Sequence, residues 1–186
     1  METQTDSYLM KQVQGGDTAQ LAFLFERYHV PLFQYLFHLS RDRALSEDVV
    51  QEVFVRVLKY AGSYDPSFAF KVWLYRMARN AYFDSMHKRR GEAPVSNLDE
   101  FRSGEAMPEE ILSRKQDTRR LQQALQSLPQ DKREILVLSR FHNLRYEDIG
   151  QILKCEVGAV KVRVYRALKE LRQRFCELQG EKLYDA

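Results

Sequence analysis

A chain of 186 residues with 44% hydrophobic content is long enough for one medium domain or two small ones, and too apolar to be disordered throughout. No apolar run approaches the roughly 20 residues that span a bilayer, and the opening Met1-Glu2-Thr3-Gln4-Thr5-Asp6 lacks the basic flank and apolar core of an export signal, so a cytoplasmic protein without membrane insertion is expected. The formal net charge of +3 is modest for a nucleic-acid binder, but an average hides where the charge sits.

In chain order, residues 7–90 read as helix almost without a break. A short helix over 8–14 is ended by Gly15-Gly16-Asp17. The next carries Leu21, Leu24, Phe25 and Tyr28 at helical spacing. Pro31 is expected to mark a kink or the first turn of a new helix, after which Leu32, Tyr35, Leu36 and Leu39 resume the pattern. Ser46 is read as an N-cap, with Glu47 and Asp48 favourably placed at the positive helix end and Val49, Val50, Val53, Phe54, Val57 and Leu58 forming a core stripe. After the break at 62–67, a helix over about 70–88 closes the first domain, 1–90. Between Lys71 and Arg90 six basic residues face the single acid Asp84.

Residues 91–118 are expected to be a flexible acidic linker: the stretch is polar, holds Gly91, Pro94, Gly104 and Pro108, and shows no sustained period. A second helical domain, 119–186, then begins with Leu121, Ala124, Leu125 and Leu128, pauses at Pro129 and continues with Ile135, Leu136, Leu138 and Phe141. No repeat and no alternating strand pattern occurs, so the fold class is all-α.

The segment 146–175 has helix-turn-helix spacing. Ile149, Ile152 and Leu153 line a short helix, Lys154-Cys155-Glu156 makes the turn, and a longer helix starts near Val157. On the latter, Val157, Val160, Val164, Leu168, Leu171 and Phe175 should face inward and Lys161, Val162, Tyr165, Arg166 and Lys169 outward. Between Lys154 and Arg174 seven basic residues, Arg163 among them, face only Glu156 and Glu170. Arginine and lysine can donate to guanine edges or phosphates, Tyr165 to a phosphate oxygen, and Val162 can pack on a thymine methyl. Charge runs usually only solvate a helix. Here Gly150, at the expected close approach of the two helices, and the short turn agree with the basic face and favour DNA.

The run Phe70-Lys71-Val72-Trp73-Leu74-Tyr75-Arg76-Met77-Ala78-Arg79-Asn80 closely resembles the aromatic and basic signature of extracytoplasmic-function sigma factors. Asp48-Val49-Val50-Gln51-Glu52-Val53-Phe54 resembles that family's polymerase-docking helix, and Tyr146-Glu147-Asp148-Ile149 with Val157-Gly158-Ala159-Val160-Lys161 its promoter-reading motif. The resemblance extends over 8–175.

It implies a factor that docks on core RNA polymerase, contacting its beta-prime and beta subunits, and directs it to promoters with minus-10 and minus-35 elements. An anti-sigma factor that controls it could hold it at the inner membrane. By this resemblance Asp48, Gln51, Glu52 and Val55 bind a coiled coil of the largest polymerase subunit. Tyr64, Phe68, Phe70, Lys71, Arg76, Arg79 and Asn80 open the minus-10 element and hold the exposed strand, a task that stacking aromatics and nearby cations suit. Trp73, whose spacing suits a core, is left out of that set. Lys88, Arg89 and Arg90 meet duplex phosphates. Lys161, Val162, Arg163, Tyr165, Arg166 and Lys169 read the minus-35 element. The sequence departs from the family pattern at Lys154, where the turn usually has glycine, and at Ala159, where a threonine usually follows Gly158.

The alternative is a helix-turn-helix regulator that acts without polymerase; it would need a dimerising element or sensor pocket, and neither is evident. An enzyme is the weakest reading. His29, His38, His87 and His142 are far apart, with no nucleophile-base pair, phosphate loop or metal spacing, so neither cofactor nor metal is expected. Cys155 and Cys176 suit neither a disulfide framework nor a zinc site, and a redox pair would need their Cα atoms within about 7 Å.

Overall fold

A computed structural model describes the backbone of residues 4–90 and 109–179 and the side chains of 4–89 and 116–179. Among the described residues every regular element is helical, as the sequence predicts, and the helices form two compact units, built on α1–α4 and on α5, α6, α8 and the first part of α7.

The first unit comprises α1 (Asp6–Gln14), α2 (Leu21–Ser40), α3 (Arg43–Lys59) and α4 (Phe70–Arg90). Thr5 caps α1 by accepting from the Tyr8 amide, and Gly16 leaves it at φ 102°, a conformation that costs glycine little. Pro31 neither starts a helix nor ends one: α2 runs through it as one helix of 20 residues. An interior proline costs about 3 kcal/mol, but Tyr28, Leu32, Tyr35 and Leu36 on either side are all buried, and each such side chain contributes about 1.5–3 kcal/mol, so burial outweighs the break.

Ser46 is not the N-cap of α3. That place belongs to Asp42, whose carboxylate accepts from the Leu45 amide at 2.9 Å, so α3 starts four residues earlier than the sequence suggests. Ser46 is buried in the first turn and donates its hydroxyl to the Asp42 carbonyl at 2.6 Å. The two polar residues compete for one cap, and the extended backbone at Asp42 decides between them.

Helix α2 packs on α3, α3 on α4, and α1 lies against α2 and α4. The core joins Leu9 and Met10 to Leu24, Leu32, Val49, Val53, Val57, Leu74 and Ala78. Aromatic rings tie the layers together: Tyr35 meets Tyr75 at 5.2 Å between centroids and Tyr28 meets Phe70 edge-on at 5.5 Å. At one edge the Asp6 carboxylate receives both the Tyr28 hydroxyl and the Arg27 guanidinium. Burial first, and then the Asp6 contact, raise the Tyr28 phenol well above its usual range, and burial alone does so for Tyr75.

The second unit comprises α5 (Glu109–Ser127), α6 (Gln130–Leu136), the first part of α7 (Tyr146–Leu153) and α8 (Val157–Gln179). Residues 109–118 of the expected linker are helical, continuous with the core-forming part of α5; the remainder, 91–108, lies outside the described residues. Helices α5 and α6 both pack on α8. Arg133 donates to the Gln126 and Leu128 carbonyls and so satisfies acceptors left over at the end of α5, next to the pause at Pro129. Six consecutive residues, 134–139, are buried, as befits a helix covered on all sides. Past Leu136 the helix widens into a π turn, Val137–Phe141, where the His142 amide reaches the Val137 carbonyl at 3.1 Å.

Candidate nucleic-acid interface

The turn between α7 and α8 is fixed by backbone. The Cys155 amide donates to the Gly150 carbonyl at 2.9 Å, and a Cβ placed on Gly150 would stand 2.7 Å from the Cys155 carbonyl oxygen, closer than atoms pack. Glycine is therefore required at 150, as the sequence predicts. Lys154 takes φ 53°, the left-handed geometry expected for the turn, although lysine costs about 1–2 kcal/mol there.

From this turn α8 emerges with Val160, Val164 and Ala167 buried and Lys161, Val162, Arg163, Tyr165, Arg166 and Lys169 exposed. Tyr165 is 70% exposed and Val162 48%, so both side chains are available to a partner. No carboxylate among the described residues pairs with Lys161, Arg166 or Lys169. Farther along, Glu170 is taken by Lys132 of α6 and by Arg174, which hold its carboxyl below the usual range. Negative charge is thus drawn toward the inner side of α8 while the basic row stays open. Arg163 approaches the Cys155 sulfur at 3.8 Å, and both cysteines are free thiols.

The candidate face of the first unit is built differently. Tyr64 and Phe70, expected to meet exposed DNA, are 3% and 1% exposed: their rings pack on each other at 5.9 Å and on Trp73 at 5.3 and 6.0 Å. Taking up a base would require leaving the core, so these two residues support the face from below. Trp73 is half-buried on the same cluster.

What reaches solvent is Phe68, 51% exposed, with Arg76 and Asn80 one helical turn apart on α4. Lys71 and Arg79 are half-buried and lie over the Tyr75 and Phe83 rings at 6.0 and 4.7 Å. Phe68 sits in a tight turn: its amide donates to the Asp65 carbonyl at 3.1 Å, and the Ser67 amide donates to the Asp65 carboxylate at 2.8 Å, which favours the charged form and holds that carboxyl below its usual range.

Farther along α4, Lys88 and Arg89 are exposed, and Arg89 pairs with the cap residue Asp42 at 2.7 Å. The side chain of Arg90 lies outside the described residues. On α3, Asp48, Gln51 and Val55 form an exposed row, with Val55 at 64%. Glu52 is turned toward the unit, where Arg56 bridges it, at 2.6 Å, to Asp84 of α4, at 3.2 Å.

Sequence reasoning missed two residues. Asp42 both caps α3 and engages Arg89. Gln14 donates across the fold to the carbonyls of Ala61 and Tyr64, partners 47 and 50 positions away, which no local pattern announces.

Among the described residues no cluster of histidine, cysteine and acidic side chains could hold a metal ion, and no helix is long and apolar enough to cross a membrane.

Comparison with known proteins matches residues 24–92 to sigma-70 region 2 and residues 118–171 to sigma-70 region 4. Over whole chains, the sequence is 37% identical to RNA polymerase sigma factor CarQ of Myxococcus xanthus across 89% of this chain and 95% of that one. It is 31% identical to RNA polymerase sigma-H factor of Pseudomonas aeruginosa, over 87% and 89% of the two chains, and 30% identical to the extracytoplasmic-function sigma-E factor of Escherichia coli, over 89% and 92%. The fold is similar to that of CnrH, solved with the cytosolic domain of CnrY, at a TM-score of 0.70, 24% identity and 95% and 99% coverage. It is also similar to that of the sigma factor RpoE of Bartonella quintana, solved with the anti-sigma factor NepR, at a TM-score of 0.67, 24% identity and 84% and 96% coverage.

Proposed function

The chain belongs to the extracytoplasmic-function sigma factors and is a transcription initiation factor rather than an enzyme, and from that premise we propose how its surfaces divide the work. The exposed row Asp48, Gln51 and Val55 on α3 docks on the coiled coil of the beta-prime subunit of core RNA polymerase, with Glu52 contributing through the ion pairs that hold α3 to α4. Phe68 stacks on an unpaired base of the minus-10 element while Arg76, Asn80, Lys71 and Arg79 follow the strand, and Tyr64 and Phe70 support them from the core. Lys88 and Arg89 meet duplex phosphates next to the opened segment; Arg89 must exchange Asp42 for a phosphate to do so. Helix α8 enters the major groove at the minus-35 element, where Val162 and Arg166 face bases and Lys161, Arg163, Tyr165 and Lys169 position the helix on phosphates. The beta subunit is the expected neighbour of the second unit.

The observation that carries this division is the open basic face of α8 set at a fixed angle by Gly150. The structure of RpoE with the anti-sigma factor NepR supports an anti-sigma partner for this chain too, and with it control by sequestration in the cytoplasm, where core polymerase is found, or at the inner membrane.

The test is in vitro transcription with core polymerase on a pooled promoter library, comparing the wild-type chain with an Asp48→Ala/Val55→Ala double variant. These two exposed residues leave the Arg56 ion pairs intact. Initiation that depends on the protein and falls at least tenfold in the variant supports the docking face. Equal initiation by both proteins moves docking off α3, and promoter binding without polymerase favours the self-sufficient regulator.

A further inference from the structure

We infer that Gln14, at the end of α1, is a positioning residue for promoter opening: its amide, together with the Tyr64 hydroxyl, holds the Phe68 turn in the shape that takes an unpaired base. This assignment rests on the proposed contact between Phe68 and the opened strand.

The Gln14 side chain donates to the Ala61 carbonyl at 3.0 Å and to the Tyr64 carbonyl at 2.9 Å, which uses both hydrogens of its amide. Those two carbonyls bracket the 3-10 turn Ala61–Ser63 that leads into the loop. Tyr64 then passes the constraint on. Its buried hydroxyl donates to the carbonyl of Phe68 at 2.9 Å and lies 3.5 Å from the Ser7 hydroxyl, also on α1. Both ends of the turn that presents Phe68 are therefore tied to one helix: the entry through Gln14, the exit through Tyr64 and Ser7.

Helix α1 contributes no residue to the proposed DNA face. Its own sequence needs nothing from this arrangement either, since the Gly15 and Gly16 amides already close the helix by donating to the Lys11 and Val13 carbonyls. A loop held by hydrogen bonds at both ends meets the strand without first losing conformational freedom, and that saving enters the opening step rather than polymerase binding.

The experiment uses full-length protein with core polymerase and a promoter carrying 2-aminopurine in the minus-10 element, whose fluorescence rises on opening. Three variants are compared. Gln14→Met keeps the length of the side chain without donors, Tyr64→Phe keeps the ring without the hydroxyl, and Phe68→Ala removes the proposed base contact. Association with polymerase and the thermal midpoint are measured alongside. The emission of Trp73, the only tryptophan, whose ring stands 5.3 Å from Tyr64, reports release of the loop in the free protein.

The expected result is opening slowed about five- to tenfold by Gln14→Met and by Tyr64→Phe, with polymerase association unchanged and Trp73 emission shifted. Wild-type opening in both variants while Phe68→Ala is slow would overturn the inference and leave the base contact standing. So would a loss of polymerase association or thermal stability as large as the loss of opening, which marks the two residues as merely structural. Wild-type opening by Phe68→Ala would instead refute the base contact on which the inference rests.

Discussion

The two surfaces proposed to face DNA are made in opposite ways. In the second domain the face and the core lie on opposite sides of one helix: Val160, Val164 and Ala167 inside, Lys161, Arg166 and Lys169 outside. In the first domain they interpenetrate, because the aromatic cluster of Tyr64, Phe70 and Trp73 is core below and support for the face above. A helix that reads duplex DNA needs only a rigid rod with one free side. A surface that takes bases out of a stack needs apolar area, which water penalises when exposed, so most of it is buried and one ring, Phe68, is left outside.

Substitutions should separate function from stability in one domain and not in the other. The largest effect is expected at Phe70, which is 1% exposed. Phe70→Ala should cost about 3–5 kcal/mol of first-domain stability, and promoter opening with it. Urea unfolding followed through Trp73 measures the first, 2-aminopurine fluorescence the second; loss of opening at full stability would break the comparison. Arg166→Ala should do the reverse. Affinity for the minus-35 element is expected to fall about tenfold to a hundredfold, as for one base contact of about 1–3 kcal/mol, while the thermal midpoint holds. An equal loss on a scrambled element would move Arg166 from base to phosphate.

A smaller effect compares two left-handed residues, Lys154 in the second domain and Arg41 at the end of α2. Lys154 is exposed, so Lys154→Gly should raise the midpoint of the second domain by about 2–6 °C. Arg41 lies over the Phe37 ring at 4.9 Å, and Arg41→Gly should bring no gain, since the relief of strain is offset by the lost contact. Calorimetry of both variants decides.

The smallest difference near neutral pH grows toward the extremes. The lowered Glu170 carboxyl contributes stability present above its unfolded range and lost as pH falls through it, so the second domain weakens in acid. The raised Tyr28 and Tyr75 phenols contribute stability present below their ordinary value and lost as pH rises past it, so the first domain weakens in alkali. Glu170→Gln and Tyr28→Phe, followed by circular dichroism against pH, should flatten the two arms separately.

The same contrast governs what the sequence discloses. The outward set on α8 was legible to the residue, because an amphipathic helix with a narrow core stripe leaves little choice of face. Gly150 was legible because only a close approach calls for it there. In the first domain the composition announced the task without its allocation: Tyr64, Phe68 and Phe70 look alike in sequence, and only packing separates the exposed ring from the buried pair. Two further readings failed where local rules compete with long-range ones. Of the two readings of Pro31, a kink or the first turn of a new helix, the second fails because α2 runs through it, and Ser46 yielded the cap of α3 to Asp42. Gln14 was silent, since a glutamine at a helix end carries no sign of carbonyls about fifty positions away.

The contact beneath Gly150 also makes α8 a lever with its pivot at the turn. A helix of 23 residues is about 35 Å long, so a tilt of about 5° at its start moves the far end by about 3 Å. Lys161, about 6 Å along, would move by only about half an ångström, and Lys169, about 18 Å along, by about 1.5 Å. In the proposed division Val162 and Arg166, which must match base edges, therefore move less than Lys169, which needs only the neighbourhood of a phosphate. One missing methyl group at the pivot, together with the packing of α5 and α6 on α8, sets the accuracy with which the arm is aimed.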